Sequence, residues 1–364
     1  MKKILVFNLG SSSTKIGYFE DGTKIYQETV NHSAQELSKY ETIWDQEALR
    51  LKTIQDFMKA HALSLSEMDA LVSRGGHTQA IESGTYVINQ AMLDQQRSGK
   101  FGQHAADLGS LLASRLVSGT NIPAYIVDSP VSDEFQPLAK YAGHPLFYRK
   151  SSFHALSHKA TAKRYAKDIG KAYEDLNLIV AHLGGGISVA PHRKGKMIDG
   201  DNALTGDGTF STDRSGGLPV GQLVDLCFSG KYSYEEVRKM LQGKGGLVAY
   251  TGSSDVKELI EKGKTDPKVQ EALDAMIYQI CKEIGSMATV LHGHVDAILL
   301  TGGIAYSDYV VDKIKESCSF IAKIVVYPGE NEMQSLANGA LEVLNGEIKA
   351  KVLIPNDDKT KIHV

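Results

Sequence analysis

Two segments of the chain share one order of strand, glycine-rich turn and strand. Residues 4–26 read ILVFNLGSSSTKIGYFEDGTKIY, and residues 178–198 read LIVAHLGGGISVAPHRKGKMI, with His182-Leu183-Gly184 where the first copy has Asn8-Leu9-Gly10. Turns rich in glycine and hydroxyl groups bring backbone N–H groups close to phosphate oxygens, although either copy alone is typical of an ordinary β-hairpin. The repetition predicts a duplicated protein with two phosphate-binding domains facing a cleft.

The 364 residues leave room for two domains of roughly 100–200 residues each. Strand and helix patterns alternate along the chain, which predicts α/β domains. Residues 137–152 have no clear period, so the domains are predicted as 1–150 and 151–364. A final helix near 331–345 could pack back on the first domain, and residues 347–364 are an edge strand or a loose tail.

Composition excludes several kinds of partner. The formal charge of −3, from 40 basic and 43 acidic residues, gives no bulk attraction to nucleic acid or to an anionic membrane. No apolar run approaches the roughly 20 residues of a membrane span. The three cysteines lack a CxxC pair and are expected to be core thiols. The sequence therefore predicts a soluble cytoplasmic protein.

The common nucleotide motifs are missing. Gly263-Lys264-Thr265 matches the end of a P-loop, but Glu258 stands where that motif requires glycine. GxGxxG is also absent. Any ATP site must therefore use another architecture.

The first turn, Asn8-Leu9-Gly10-Ser11-Ser12-Ser13-Thr14-Lys15, resembles the N-x-G-S-S-S-x-K signature of the acetate kinase and butyrate kinase family. Further segments follow in family order. They are Arg74-Gly75-Gly76, His104, Val127-Asp128, Phe153-His154-Ala155-Leu156-Ser157-His158, His182-Leu183-Gly184, Asp213-Arg214-Ser215-Gly216-Gly217 and Thr301-Gly302-Gly303. The resemblance implies the superfold of acetate and sugar kinases, Hsp70 and actin: two duplicated ribonuclease-H-like domains with ATP in a central cleft.

Three motifs resemble the butyrate kinase branch more than the acetate kinase branch. Acetate kinases read RVVHGG, HLGNGSS and GGIGEN where residues 72–77, 182–188 and 302–306 read VSRGGH, HLGGGIS and GGIAY. The resemblance implies reversible ATP-dependent phosphorylation of butyrate or a branched acid such as isobutyrate to its acyl phosphate. An acetate or propionate kinase is the first alternative. An ATP-switched binding protein like Hsp70 or actin is the second, but it would leave Arg74, His154 and Arg214 without a task.

A fatty acid is already ionised at neutral pH, because an ordinary carboxyl pKa is about 4. Its phosphorylation needs no general base, and the task is to offset repulsion between anions. The resemblance implies that Arg74 and Arg214 hold the carboxylate and phosphoryl oxygens through their guanidinium forks. It implies that His154 donates a hydrogen bond to the transferring group. Either arginine could instead form a structural salt bridge.

Two carboxylates are implied to serve Mg²⁺, Asp128 at a strand end and Glu332 before the last helix. Glu330 competes with Glu332, and each of the three could instead cap a helix or a turn.

The resemblance also implies the remaining site. Residues implied to contact ATP or ADP are Asn8, Ser11, Ser13, Lys15, His182, Gly184, Gly185, Gly186, Gly302 and Gly303. Residues implied to contact the acid are Gln103, His104 and Phe153, with Gly84 as a further contributor to the acyl pocket. His104 could instead be an ordinary core histidine. The first domain would bind the carboxylate, and the second would bind the nucleotide and form a homodimer or a larger homo-oligomer.

Overall fold

The computed structural model describes residues 1–204, 206–329 and 331–356. The strands in these ranges are β1 (Lys3–Leu9), β2 (Ser13–Glu20), β3 (Thr23–Asn31), β4 (Ala70–Ser73), β5 (Thr85–Val87), β6 (Ala124–Val127), β7 (Asn177–Leu183), β8 (Ile187–Arg193), β9 (Lys196–Met197), β10 (Ala297–Gly302), β11 (Ile324–Pro328) and β12 (Lys351–Val352). The helices are α1 (Ala34–Leu37), α2 (Glu47–Ala60), α3 (Gln90–Ser98), α4 (Ala106–Leu116), α5 (Ala155–Asp168), α6 (Val220–Phe228), α7 (Tyr234–Leu241), α8 (Gly246–Thr251), α9 (Val256–Gly263), α10 (Pro267–Val290), α11 (Asp308–Cys318) and α12 (Glu332–Leu344).

The chain forms two compact units, residues 1–133 with 331–356 and residues 134–329. The division falls after residue 133, upstream of the position 150 that the sequence suggested. Glu134 and Phe135 explain this difference, because the side chains of both contact residues of the second unit. Glu134 accepts a hydrogen bond from the Met197 N–H at 2.8 Å and pairs with Lys159 at 2.7 Å. Phe135 stacks on Phe153. Helix α12 lies in the first unit.

The first unit contains a seven-stranded sheet in the order β12-β5-β6-β4-β1-β2-β3. Strands β1, β2 and β3 are antiparallel neighbours, whereas β1, β4 and β6 run parallel. Leu5, Phe7 and Ile16 of the hairpin pack with Phe57 of α2 and Leu108 of α4 in one hydrophobic core. Of the residues predicted as an edge strand or a tail, Lys351 and Val352 form an edge strand on β5.

The second unit repeats this plan in a five-stranded sheet with the order β11-β10-β7-β8-β9. Strands β7, β8 and β9 are antiparallel, and β7, β10 and β11 are parallel. Asn8 pairs with Lys15 in the first hairpin, and His182 pairs with Ser188 in the second. The predicted duplication is therefore confirmed, and it extends from two hairpins to five strands in each sheet.

Sequence patterns predict a long loop over residues 200–219 and a helix at 234–241, but they do not predict α6, which lies between them. None of its residues is buried, and Val220, Val224 and Phe228 are exposed. Cys227 lies on this helix and is exposed, so its expected place as a core thiol is wrong, whereas Cys318 is buried. The described helices include none that is long and apolar enough to cross a bilayer.

Gly339 allows α12 to lie close to the sheet of the first unit. A Cβ at this position would lie 2.6 Å from Val127 Cγ1. Gly285 of α10 offers a matched control, because nothing lies within 4 Å of a Cβ added there. We expect Gly339→Ala to lower the free energy of unfolding by about 1–3 kcal/mol through overpacking. Gly285→Ala should leave it unchanged or raise it by up to about 1 kcal/mol. Urea unfolding of both variants tests this, and equal effects would contradict it.

Candidate active site

In each unit, predicted site residues lie at the carboxyl ends of adjacent parallel strands. Asn8 lies near the end of β1, Arg74 follows β4, and Asp128 follows β6. In the second unit His182 lies near the end of β7, and Gly302 ends β10. Carboxyl ends of neighbouring parallel strands meet at one edge of a sheet. Each unit therefore has one edge at which these residues gather.

Glu332, the first residue of α12, joins Asn8 to Arg74 in the first unit. Asn8 Nδ2 donates a hydrogen bond to Glu332 Oε2 at 2.7 Å, and Arg74 Nη1 lies 3.8 Å from Glu332 Oε1. Within the described residues, the buried Asn8 Oδ1 has no hydrogen-bond partner. A carboxylate, a guanidinium and an unused amide oxygen thus lie together. Glu330, the competing carboxylate, lies outside the described residues.

Asp128 lies directly after β6 with φ at +42°. Its Oδ1 accepts the Gly84 N–H at 2.8 Å, and its own N–H donates to the Gly84 carbonyl at 3.1 Å. Residues other than glycine seldom adopt positive φ, although aspartate does so more readily than most. The two bonds to Gly84 hold this backbone conformation, which is of the kind that clusters at functional sites.

His104 is fixed as a neutral hydrogen-bond donor. The Ala106 N–H donates to His104 Nδ1 at 3.1 Å, so Nδ1 has no proton and Nε2 carries it. The buried Asp107 carboxylate accepts the backbone N–H of His104 at 2.8 Å and that of His77 at 2.6 Å. Burial, followed by the positive charge of Arg74, lowers the pKa of His104.

Arg50 of α2 holds the turn of the first hairpin from its buried side. Its side chain is completely buried, and Nη2 donates to the Ser11 carbonyl at 3.1 Å. Nη1 donates to the Ser13 carbonyl at 2.6 Å and to the Thr14 hydroxyl at 2.9 Å. A carbonyl and the next N–H point in opposite directions across a planar peptide. The Ser12 N–H therefore points away from Arg50, the orientation that an anion-binding turn needs.

Arg50 is a residue of this site that sequence motifs do not predict. Ser11 at the turn is exposed, and Ser13 and Lys15 are partly exposed, as groups that contact a ligand would be. One feature of the sequence could have identified Arg50. It lies on the same face of a helical pattern as Ile54, the face that is buried in α2. A buried cation on such a face needs polar partners, and here the turn supplies them.

His154, His182 and Arg214 converge around Gly186 in the second unit. The two imidazole rings stack with centroids 4.0 Å apart. A Cβ at Gly186 would lie 2.2 Å from Arg214 Nη1 and 3.1 Å from His154 Cε1, and one at Gly184 would lie 2.9 Å from His182 Nε2. The glycines of this turn therefore leave room for the cationic and imidazole groups around it.

Arg214 has donors that its protein partners do not use. Nη1 donates to the Ala203 carbonyl at 2.5 Å. Nε is buried without a hydrogen-bond partner among the described residues, and it lies 3.8 Å from Asp213 Oδ1. Burial lowers the pKa of the Arg214 guanidinium, and the charge of Asp213 opposes that shift. A guanidinium remains charged even so, and an anion would satisfy the unused donors.

The other glycines predicted for the nucleotide lie in two bends, one after β7 and one at the end of β10. Gly302 has φ at +90°, and a Cβ there would lie 2.3 Å from the Leu183 carbonyl oxygen, so the ends of β10 and β7 touch closely. Gly303 follows with open space around it. The Gly185 carbonyl accepts the Ser211 hydroxyl at 2.6 Å, which fixes the bend after β7.

The residues predicted for the acid do not form one cluster within a unit. Gln103 is exposed and His104 partly buried in the first unit. Phe153 belongs to the second unit, where it is buried in a hydrophobic cluster with Phe135 and Met197.

His158 and His192 lie deeper in the second unit and are completely buried. His158 Nδ1 lies 3.4 Å from His192 Nε2. Burial, with a smaller contribution from neighbouring histidines, lowers the pKa of both well below the usual value. Both rings are therefore neutral in the folded protein at neutral pH.

Polar groups at strand ends, a hairpin turn with outward-facing N–H groups and an arginine with unused donors are features typical of sites that bind phosphate groups. Residues 135–354 match the model of the acetokinase family. The chain is 49% identical over 352 residues to butyrate kinase 1 of Clostridium acetobutylicum, covering 96% of this chain and 99% of that protein. The chain belongs to the acetokinase family.

Two solved structures share its fold. Acetate kinase from Porphyromonas gingivalis superimposes with a TM-score of 0.78 at 20% identity, covering 94% of this chain and all of that one (100%). A propionate kinase from Francisella tularensis gives 0.74 at 20% identity, covering 93% and 99%. The predicted fold class, two duplicated ribonuclease-H-like domains of the acetate and sugar kinase, Hsp70 and actin superfold, is confirmed.

The buried histidines make stability depend on pH. The unfolded chain takes up protons at His158 and His192 below about pH 6.5, whereas the folded protein does not, so stability falls as pH falls. Between about pH 7.5 and 5.5 each ring should account for about 1.4 kcal/mol of this loss. We expect His192→Gln to remove about half of that combined loss, and the exposed His292→Gln to remove none. Urea unfolding at both pH values is the measurement, and an unchanged pH dependence in His192→Gln would contradict the assignment.

Gly186 and Gly285 form a pair for testing the second-unit site. A Cβ at Gly186 meets the flexible end of Arg214, whereas nothing lies within 4 Å of one at Gly285, which lies in α10 and outside the proposed site. We expect Gly186→Ala to displace Arg214 and to reduce phosphoryl transfer by about 10²-fold, comparable to the loss of one charge-stabilising donor. Gly285→Ala should retain wild-type activity. Steady-state rates and melting temperatures of both variants test this, and full activity of Gly186→Ala would show that the close approach is unimportant.

Proposed function

We propose that the chain transfers the γ-phosphoryl group of ATP directly to the carboxylate of a short-chain fatty acid, and that it also forms ATP in reverse. Butyrate or a branched acid such as isobutyrate is the proposed substrate, and its acyl phosphate the product. The observation that carries this proposal is the convergence of Arg214, His154 and His182 around Gly186. The relationship to butyrate kinase 1 supports the choice of acid.

The reaction needs charge compensation and no general base, because the acceptor is already a carboxylate. Arg214 offers its unused Nε donor to the phosphoryl oxygens, and His154 donates a hydrogen bond to the same group. Arg74 holds the carboxylate of the acid in a forked contact. His104 supports this role, because its neutral ring presents an Nε2–H donor in the first unit.

Mg²⁺ is the proposed metal ion, and Glu332 and Asp128 are the residues that would hold it. Mg²⁺ in proteins commonly uses one or two carboxylates together with substrate phosphates. Asn8 supports this assignment, because its amide donates to one Glu332 oxygen while its own Oδ1 is buried and unused. When bound, the ion would neutralise phosphate charge.

ATP and ADP are the proposed nucleotides. The backbones of Gly184, Gly185 and Gly186 bind the phosphates, with His182 beside them. Gly302 and the exposed Gly303 lie against the adenosine. Ser11, Ser13 and Lys15 of the first hairpin contact phosphate oxygens, supported by the turn that Arg50 orients. Gln103, Phe153 and Gly84 contribute to acid binding.

We further propose a cytoplasmic homodimer or larger homo-oligomer formed through the second unit. Helix α6 supports this, because Val220, Val224 and Phe228 present an apolar face to solvent in the isolated chain. Exposed apolar patches of this kind commonly mark interfaces. Sedimentation equilibrium of the purified protein tests the proposal.

Two alternatives carry less support. A relative named butyrate kinase over nearly the whole chain does not favour an ATP-switched binding protein of the Hsp70 or actin kind. Acetate and propionate kinases share the same fold, so the fold does not distinguish them from a kinase of butyrate. The range of acids that the protein phosphorylates distinguishes them.

A hydroxamate assay with ATP and Mg²⁺ tests the proposed reaction. We expect acyl hydroxamate from butyrate, isobutyrate and isovalerate in preference to acetate and propionate. Arg214→Ala should lower kcat/KM by at least about 10²-fold, as loss of a preorganised charge-stabilising donor does. Arg238→Ala, an exposed arginine of α7, is the matched control and should keep wild-type rates.

The assay also distinguishes the alternatives. Preference for acetate or propionate would move the assignment to those kinases. Intact ATP binding without hydroxamate from any of the five acids would contradict carboxylate phosphorylation.

A further inference from the structure

A continuous chain of hydrogen bonds runs from His154 into the core of the second unit. His154 Nδ1 and Ser188 Oγ are 2.9 Å apart, and the same hydroxyl lies 2.9 Å from His158 Nε2. His158 Nδ1 then meets His192 Nε2 at 3.4 Å, and His192 Nδ1 meets the Tyr173 hydroxyl at 2.6 Å. Five side chains are thus connected in series.

Most of this chain is isolated from solvent. Ser188, His158 and His192 are completely buried, and Tyr173 is 5% exposed. A buried polar group without a partner is costly, so each member of such a network must keep its hydrogen bonds satisfied. Both inner rings are neutral, as described above. The proton positions are therefore tightly coupled from one side chain to the next.

The direction of one hydrogen bond sets the direction of all the others. A neutral imidazole has one donor and one acceptor nitrogen, and a hydroxyl has one proton. A tyrosine hydroxyl, whose reference pKa is about 10, is in general a stronger hydrogen-bond donor than a neutral imidazole N–H. Tyr173 therefore donates to His192 Nδ1, and His192 Nε2–H donates to His158 Nδ1.

The same pattern of one donor and one acceptor on each neutral ring fixes the hydrogen bonds from His158 towards His154. His158 then donates from Nε2 to Ser188. The buried Ser188 hydroxyl must place its own proton on an acceptor, and the contacts described for it supply His154 Nδ1, 2.9 Å away, so Ser188 donates to His154. His154 is left with its proton on Nε2. Its Cε1, between the two nitrogens, faces Gly186, next to which Arg214 lies.

We propose that Tyr173 and Ser188 are positioning residues, which lock His154 in the tautomer that carries its proton on Nε2. The locked ring presents a hydrogen-bond donor, and not an acceptor, outside the chain. This would prevent the unfavourable meeting of a nitrogen lone pair with a phosphoryl oxygen. The benefit to phosphoryl transfer rests on the proposed function, whereas the tautomer is a property of the protein without substrate.

Nitrogen-15 NMR of histidine-labelled full-length protein tests the tautomers directly, because long-range ¹H–¹⁵N correlations distinguish Nδ1–H from Nε2–H. Individual His→Gln variants assign the signals. We expect His154, His158 and His192 all to carry their protons on Nε2 at neutral pH. An Nδ1–H tautomer or a doubly protonated ring at His154 would overturn the proposal.

Tyr173→Phe removes the donor at the inner end, and Ser188→Ala interrupts the chain beside His154. Both should shift the His154 signals towards a mixture of tautomers. Tyr165→Phe is the matched control, because Tyr165 is buried in the same hydrophobic cluster as Tyr173 but lies outside the hydrogen-bonded series. It should leave the signals unchanged. An unaltered His154 spectrum in Tyr173→Phe and Ser188→Ala would also overturn the proposal.

Kinetic measurements test whether the fixed tautomer of His154 contributes to the proposed phosphoryl transfer. We expect kcat of Tyr173→Phe to fall by up to about 10-fold, less than the roughly 10²-fold effect of losing a whole donor. KM for ATP and for the acid should change little, because the ground-state contacts remain. A shifted tautomer with an unchanged kcat would keep the lock and overturn only the role of His154 in transfer.

Discussion

The parallel pairing of the central strands is the constraint on which the candidate site residues of each unit depend. Pairing of β1 with β4 and β6 carries Asn8, Arg74 and Asp128 to one edge of the first sheet, although up to 120 positions separate them (128 − 8). Pairing of β7 with β10 does the same for His182 and Gly302. Because strand direction fixes which ends meet, the polar groups need only follow their strands to be brought together.

Each edge is supported from its buried side by polar groups that do not face a ligand. Arg50 holds the first hairpin turn through the carbonyls of Ser11 and Ser13. In the second unit the series that ends at Tyr173 reaches His154 through Ser188. In both units, buried donors direct the orientation of surface groups. Such support fixes a site's geometry before substrate arrives, so that less reorganisation is needed during reaction.

The sequence predicts correctly those helices and strands that are defined by local features, such as an apolar run or a capping residue. Sequence patterns predict a strand at 124–127 and a helix at 234–241, and both elements have these bounds, because an apolar run defines the strand and a Ser233 cap begins the helix. The three-residue β5 and the exposed α6 were missed. A strand of three residues exists only through pairing with its neighbours, so it leaves no pattern of its own. Helix α6 does carry a sequence signal, because Val220, Val224 and Phe228 recur at helical spacing.

The sequence by itself determined the family, the duplicated α/β fold and the residues proposed for chemistry, because glycine turns, strand ends and charged side chains are local features. Only the tertiary structure decided that Glu332 meets Asn8, that Gly186 makes room for Arg214, and that Ser188 links His154 to the buried histidines. These contacts join residues 28 to 324 positions apart (214 − 186 and 332 − 8). Distances of this kind follow from packing, since no local pattern records which side chains will share a buried space.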